Sequence, residues 1–131
     1  MGKVVGVGGV FLKAQDPKGL QAWYAEHLGV PLTDGYTAFE GPEAAGMTVF
    51  SFFPSDTKYF GEGSQQSMVN FRVDSLEEVL ERLTKAGAKI DPKQDNYSYG
   101  RFAWFWDPEG NRVELWEPVS EEPDSEPFLA G

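Results

Sequence analysis

The chain has 131 residues, 40% apolar and 15% aromatic, with no cysteine and a net charge of −10 from 11 bases and 21 acids. That length suits one domain burying roughly two-thirds of its unfolded surface, and the apolar content excludes disordered and collagen-like chains. The lack of cysteine removes disulfides, thiolate nucleophiles, zinc fingers and iron–sulfur clusters, while the negative charge disfavours nucleic acid and anionic membranes as partners.

In chain order, the alternating run from Gly9 to Asp16 predicts a strand, and Pro17 to Leu28 predicts a helix with Leu20, Trp23, Tyr24 and Leu28 on one face. Asp16 is placed to cap that helix, Pro17 to open it, and Gly29 to close it. A weak extended piece near Val30–Thr33 precedes strands over Tyr36–Glu40 and Met47–Phe53, the last stopped by Pro54. A polar linker over 55–66 follows, in which Lys58, Tyr59 and Phe60 are candidates to close over a site.

The same plan then repeats. Met68 to Ser75 predicts a strand, and Leu76 to Ala86 a helix with Leu76, Val79, Leu80 and Leu83 on one face. Ser75 and Glu78 form a capping box, and Gly87 closes the helix. Short strands follow near Lys89–Ile90, Arg101–Trp106 and Arg112–Glu117, the last two joined by the turn Asp107-Pro108-Glu109-Gly110-Asn111. Residues 119–131 read as an acidic, disordered tail: four acids and no base lie in 121–127, leaving −6 for the rest.

The expected fold class is α+β. Module one (4–54) and module two (67–118) are each too small to stand alone at about 60 residues, and pair into a curved mixed sheet with a concave cup and the helices outside. No apolar run approaches the about 20 residues of a membrane helix, and Met1-Gly2-Lys3 opens no signal peptide. The expectation is a cytoplasmic protein. Gly6-Val7-Gly8-Gly9 begins a strand instead of opening a helix, so it is not a dinucleotide fingerprint.

This organisation, with Asp-Pro-Glu-Gly-Asn-Arg-Val-Glu-Leu-Trp-Glu-Pro at 107–118, resembles the vicinal oxygen chelate superfamily over about residues 4–118. That superfamily includes glyoxalase I, bleomycin-resistance proteins and extradiol dioxygenases. The resemblance implies paired βαβββ modules forming a cup, often in a homodimer. It also implies four strand positions where metalloenzyme members carry His, Glu or Gln. Here those positions read Gly9, Phe50, Met68 and Glu114, with Phe50 found by counting four back from Pro54 as Glu114 lies four back from Pro118. One carboxylate does not supply the several donors a divalent metal needs. No cofactor is therefore expected, and a divalent metal only if those positions are misread. The one histidine, His27, reads as a solvated residue near a helix C-terminus.

Strand alternation turns Arg112, Glu114 and Trp116 into the cup if Val113 and Leu115 pack under the helices. Pairing across the hairpin adds Trp104 and Trp106, and alternation in the opening strand adds Met68, Asn70 and Arg72. Phe11, Phe50 and Phe52 are expected to face in from module one, and Tyr97, Tyr99 and Arg101 to form a rim. Such an aromatic hollow with few polar groups suits a small organic ligand. Glu114 reads as counter-ion to Arg101 or Arg112, as ligand contact, or as acid–base group, with an aromatic shell raising its pKa and an arginine lowering it. Three functions compete. One is metal-free binding of an aromatic or cationic molecule, similar to the bleomycin-resistance branch. Another is a glyoxalase-like lyase, isomerase or dioxygenase using Glu114. The third is an interaction module whose cup is filled by its own side chains.

Overall fold

A computed structural model describes residues 2–31, 36–40 and 47–119. The tail from 120 onward, and residues 32 and 33 of the expected extended piece, lie outside the described residues. The elements are β1 (Val4–Ala14), α1 (Pro17–Leu28), β2 (Tyr36–Glu40), β3 (Met47–Pro54), β4 (Ser67–Val73), α2 (Leu76–Lys85), β5 (Lys89–Tyr97), β6 (Gly100–Trp106) and β7 (Arg112–Pro118). The class is α+β, with both parallel and antiparallel pairing, as the sequence predicts. Two compact units emerge among the described residues, one within 7–69 and one joining residues 2–6 to residues 70–119. The division falls inside β1 and β4, not in the linker.

In the first unit the strands run in the order β2-β3-β1, with β3 parallel to β1 and antiparallel to β2. The caps of α1 are those the sequence predicts. The Asp16 carboxylate accepts from the Gly19 N–H at 3.1 Å, Pro17 takes the first turn, and Gly29 closes the helix at φ 70°. Its packing differs from expectation. Leu20 and Tyr24 are half-buried, but Trp23 and Leu28 are 50% and 64% exposed, and no residue of α1 is fully buried.

In the second unit the order is β4-β7-β6-β5, with β4 parallel to β7 and the other pairs antiparallel. Here α2 is well seated: Leu76 and Val79 pack with Val73, Ala103 and Leu115, and Phe71, Leu80, Leu83 and Phe105 close the margin. Full burial of one such side chain stabilises by about 1.5–3 kcal/mol. At the start of α2, Ser75 Oγ accepts from the Glu78 N–H at 3.3 Å. The Glu78 carboxylate is drawn to the Gly2 N–H, and the Leu76 N–H donates to Glu117 of β7 at 2.7 Å. Both acids sit at the positive end of the helix dipole.

The hairpin between β6 and β7 is held by Asp107, whose carboxylate accepts from the backbone N–H groups of Glu109 and Asn111 and from the Asn111 side chain, each at 2.9 Å. Those bonds, the Asn111 side chain foremost, hold the Asp107 carboxyl below the usual carboxylate range. β5 departs from expectation: it extends from Lys89 to Tyr97, with a register shift between Ile90 and Gln94. The expected rim segment is therefore the end of a strand plus a turn.

Candidate functional site

The second unit's sheet presents two chemically distinct faces. Across β7, Leu115 packs with α2 and Val113 shares its face by alternation, so Arg112, Glu114 and Trp116 turn the other way. The register carries this face across the strands. Glu114 stands opposite Asn70 on one side and Trp104 on the other, Trp116 opposite Arg72 and Phe102, and Arg112 opposite Trp106. Asn70, Arg72, Trp104, Trp106, Glu114 and Trp116 thus share one face, as the alternation predicts.

Glu114 lies at its centre. It is 1% exposed, and its Oε1 accepts from Asn70 Nδ2 at 2.7 Å, Asn70 being equally buried. Beside it, the Arg112 guanidinium lies 5.2 Å from the Trp104 ring centre and 5.4 Å from that of Trp106. Its Nη2 donates to Asp91 at 2.7 Å. Lys93 and Lys89 cover the Trp104 and Trp106 rings at 5.3 and 4.5 Å. Cations from β5 and β7 therefore flank the two indoles of β6, a stabilising arrangement for both.

On the other side of Glu114 the Trp116 ring lies nearly parallel to Phe102 at 5.9 Å. Phe102 meets the edges of Tyr97 and Tyr99, which stack on one another at 5.1 Å. Tyr97 is 49% exposed and its hydroxyl donates to Asp95 at 3.2 Å. Burial first, then the charges of Asp95 and Glu114, push the Tyr99 phenol pKa up. Burial likewise lowers the pKa of Arg72, whose guanidinium lies against Gly6.

Among the expected site residues, Arg101, Phe50 and Phe52 do not point as the alternation predicts. Arg101 is exposed, stands opposite Glu117 and approaches it at 4.0 Å, on the other side of β6 from Trp104. Arg112 has Asp91 as an ion-pair partner. In the first unit, Phe50 and Phe52 pack against Tyr24 of α1 at 5.6 and 5.2 Å, so they point toward the helix. Phe11 turns the opposite way, 5.5 Å from Phe53, and Met68 is buried in β4. Tyr59 and Phe60 pack on Phe53 at 5.2 Å each, which ties the linker to its own unit. His27 is exposed in the last turn of α1, next to Trp23 at 4.9 Å.

The β3 reading was out by one residue. Phe11 and Asn70 each precede a helix N-cap (Asp16, Ser75) by the same spacing, and Phe11 stands opposite Ser51 as Asn70 stands opposite Glu114. Ser51, not Phe50, is therefore the counterpart of Glu114. In the first unit the positions then read Gly9, Ser51 and Met68, which supply no carboxylate or imidazole to a divalent metal. Among the described residues no group of three or more His, Cys, Asp or Glu is gathered as metal ligands would be.

Sequence reasoning missed Phe102, Asp91, Lys89 and Lys93. Phe102 was within reach, being two residues before Trp104 on one strand. The other three lie on β5, where the register shift breaks simple alternation.

Comparison with known proteins agrees with this organisation. No curated protein matches the chain. Among solved structures, methylmalonyl-CoA epimerase from Mycobacterium tuberculosis is 21% identical with TM-score 0.63, over 97% of this chain and 92% of that one. The Streptomyces coelicolor methylmalonyl-CoA epimerase, in complex with 2-nitronate-propionyl-CoA, reaches TM-score 0.70 at 10% identity over 90% and 100%. A glyoxalase/bleomycin resistance protein/dioxygenase superfamily member from Vibrio splendidus 12B01 reaches 0.57 at 12% over 89% and 99%. These likenesses show the fold. Residues 9–116 match the glyoxalase-like domain, so the chain belongs to that family.

Proposed function

We propose that this protein binds a small, flat or cationic organic molecule on the aromatic face of its second unit, with Glu114 as the anchoring group and no catalytic metal. The observation that carries this reading is a carboxylate set at 1% exposure in mid-strand, oriented by Asn70 and framed by Trp104 and Trp116. A carboxylate in such a place costs stability, so its presence points to use. Indole rings supply stacking area and attract cations. Because the central side chains are covered, a ligand must displace a ring to reach Glu114, and association slower than about 10⁵ M⁻¹s⁻¹ is expected.

Tryptophan fluorescence titrated against a chemically varied set of aromatic and cationic compounds tests the reading. Slow, saturable quenching by some members supports it, whereas a flat response across the whole set refutes it.

A second reading, an isomerase using Glu114 as acid–base group, is favoured by the Asn70 contact, which orients the carboxylate for proton transfer. Two structures of similar fold are described as methylmalonyl-CoA epimerases. Incubating the protein with methylmalonyl-CoA in D₂O addresses this directly. Wash-out of the α-proton supports it, and retention at the uncatalysed rate removes it for that substrate.

A further inference from the structure

Register sets up a correspondence between the units: with Ser51 at the place of Glu114, Lys13 takes that of Arg72 and Phe53 that of Trp116. The face of the first unit that turns from α1 is built by Gly9, Phe11 and Lys13 of β1 and Val49, Ser51 and Phe53 of β3. The one charge among these six is the Lys13 ammonium. In the second unit Trp116 meets a parallel ring from its own sheet, Phe102 at 5.9 Å. In the first unit the parallel ring on Phe53 comes from the linker: Tyr59 lies 5.2 Å away at 7°. Phe60 meets Phe53 edge-on at 5.2 Å, is 1% exposed, and has the Lys13 ammonium 5.6 Å over its ring.

This part of the linker is closed on itself. The Thr57 N–H donates to the Pro54 carbonyl at 3.0 Å, the Tyr59 N–H to Thr57 Oγ1 at 3.2 Å, and the Gly61 N–H to the Lys58 carbonyl at 3.0 Å. Lifting residues 55–61 as a body leaves those bonds intact. Gly61 and Gly63 follow at φ 89° and 115°, and a Cβ at Gly63 would meet nothing within 4 Å. That glycine serves the backbone angle and no close approach, which suits the foot of a hinged loop.

We infer that the first unit carries a second binding site, occupied by Tyr59 and Phe60 of its own chain, which takes a flat ring bearing an anionic group, an aryl carboxylate, when the linker lifts. The ring replaces Tyr59 on Phe53, and the carboxylate replaces the Phe60 ring as partner of the Lys13 ammonium, a stronger attraction than a ring face offers. The charge preference is opposite to that proposed for the second unit, because Ser51 stands where Glu114 does there. The inference stands on the first unit alone, whatever the second unit binds. A closed linker lowers the apparent affinity in proportion to the fraction of molecules that are open.

The anionic 1-naphthaleneacetate and the neutral 2-(1-naphthyl)ethanol are titrated calorimetrically into the full-length protein, into Tyr59→Ala, and into Tyr59→Ala carrying Lys13→Met. Binding of 1-naphthaleneacetate at least about tenfold tighter to Tyr59→Ala than to the native protein is expected, with the gain lost when Lys13→Met is added. Equal affinity for the native protein and Tyr59→Ala refutes the site. A gain that survives Lys13→Met, or that the alcohol shares in full, refutes the anionic ligand class. Should Tyr59→Ala fail to fold, trypsin cleavage after the exposed Lys58 decides in the native protein. Faster cleavage with saturating 1-naphthaleneacetate than with the alcohol supports a lifted linker, and an unchanged or slower rate overturns it.

Discussion

The two units are built on one plan, a strand followed by a helix and then strands in which the first and last pair in parallel, yet they place their aromatic side chains differently. In the first unit Phe50 and Phe52 lie under α1 with Tyr24, and the place matching Glu114 is Ser51. In the second, the buried helix side is aliphatic with Phe71 and Phe105 only at its margin, and the indoles lie on the opposite face around a buried acid. A shared backbone plan thus does not fix where the rings go. Assignment of a helix face to Leu and Val leaves the other face available for Trp, Arg and Glu, which is the chemical difference that makes the second unit the candidate site.

Unequal helix packing gives the largest expected effect. Leu76→Ala should cost about 3 kcal/mol, because Leu76, the first residue of α2, is fully buried. Leu28→Ala, in exposed α1, should stay within about 0.5 kcal/mol. Denaturant unfolding of both variants checks this, and equal losses would break the contrast between the helices.

Next in size is Gly100→Ala. A Cβ there would sit 2.5 Å from Trp116 Nε1 and 2.9 Å from the Glu117 carbonyl oxygen, so the hairpin carrying Tyr97 and Tyr99 must shift. A loss of about 2 kcal/mol is expected, together with a changed tryptophan emission spectrum. An unchanged spectrum would mean that Trp116 is not gripped by this turn.

The smallest effect is in pH dependence. The folded Asp107 carboxyl has a pKa below that of the unfolded chain, near 3.9. Its contribution is therefore present above about pH 4 and disappears as the pH falls through the lowered value. Asp107→Asn should flatten the acid limb of the melting curve relative to the native protein. An acid limb of unaltered slope would assign the effect to other carboxylates.

Which parts of this architecture the sequence discloses follows from how local the governing chemistry is. Both helix starts are legible because Asp16 and Ser75 act on amides within a turn of themselves. The faces of β6 and β7 are legible because the Asp107 turn pins their register, so Trp104 must meet Glu114. Nothing comparable pins β3. β3 and β7 both end on a proline, but the equivalent register position lies three residues before Pro54 and four before Pro118, so counting four back put Phe50 where Ser51 belongs. β5 was hidden by Pro92 and the shift between Ile90 and Gln94, which conceal Asp91 as the partner of Arg112. The exposure of Trp23 and Leu28 depends on which surface meets α1, and an apolar stripe on a helix does not specify that.

The central claim is that Glu114 holds a ligand and is not merely packing. Glu114→Gln retains an oxygen that can accept from Asn70 but removes the charge. Calorimetric titration with 2-(1-naphthyl)ethylammonium, beside a thermal melt, compares the variant with the native protein. The account predicts at least about a tenfold loss of affinity with the melting temperature little changed. Undiminished binding by Glu114→Gln, accompanied by a markedly lower melting temperature, would make Glu114 a structural residue and contradict the account.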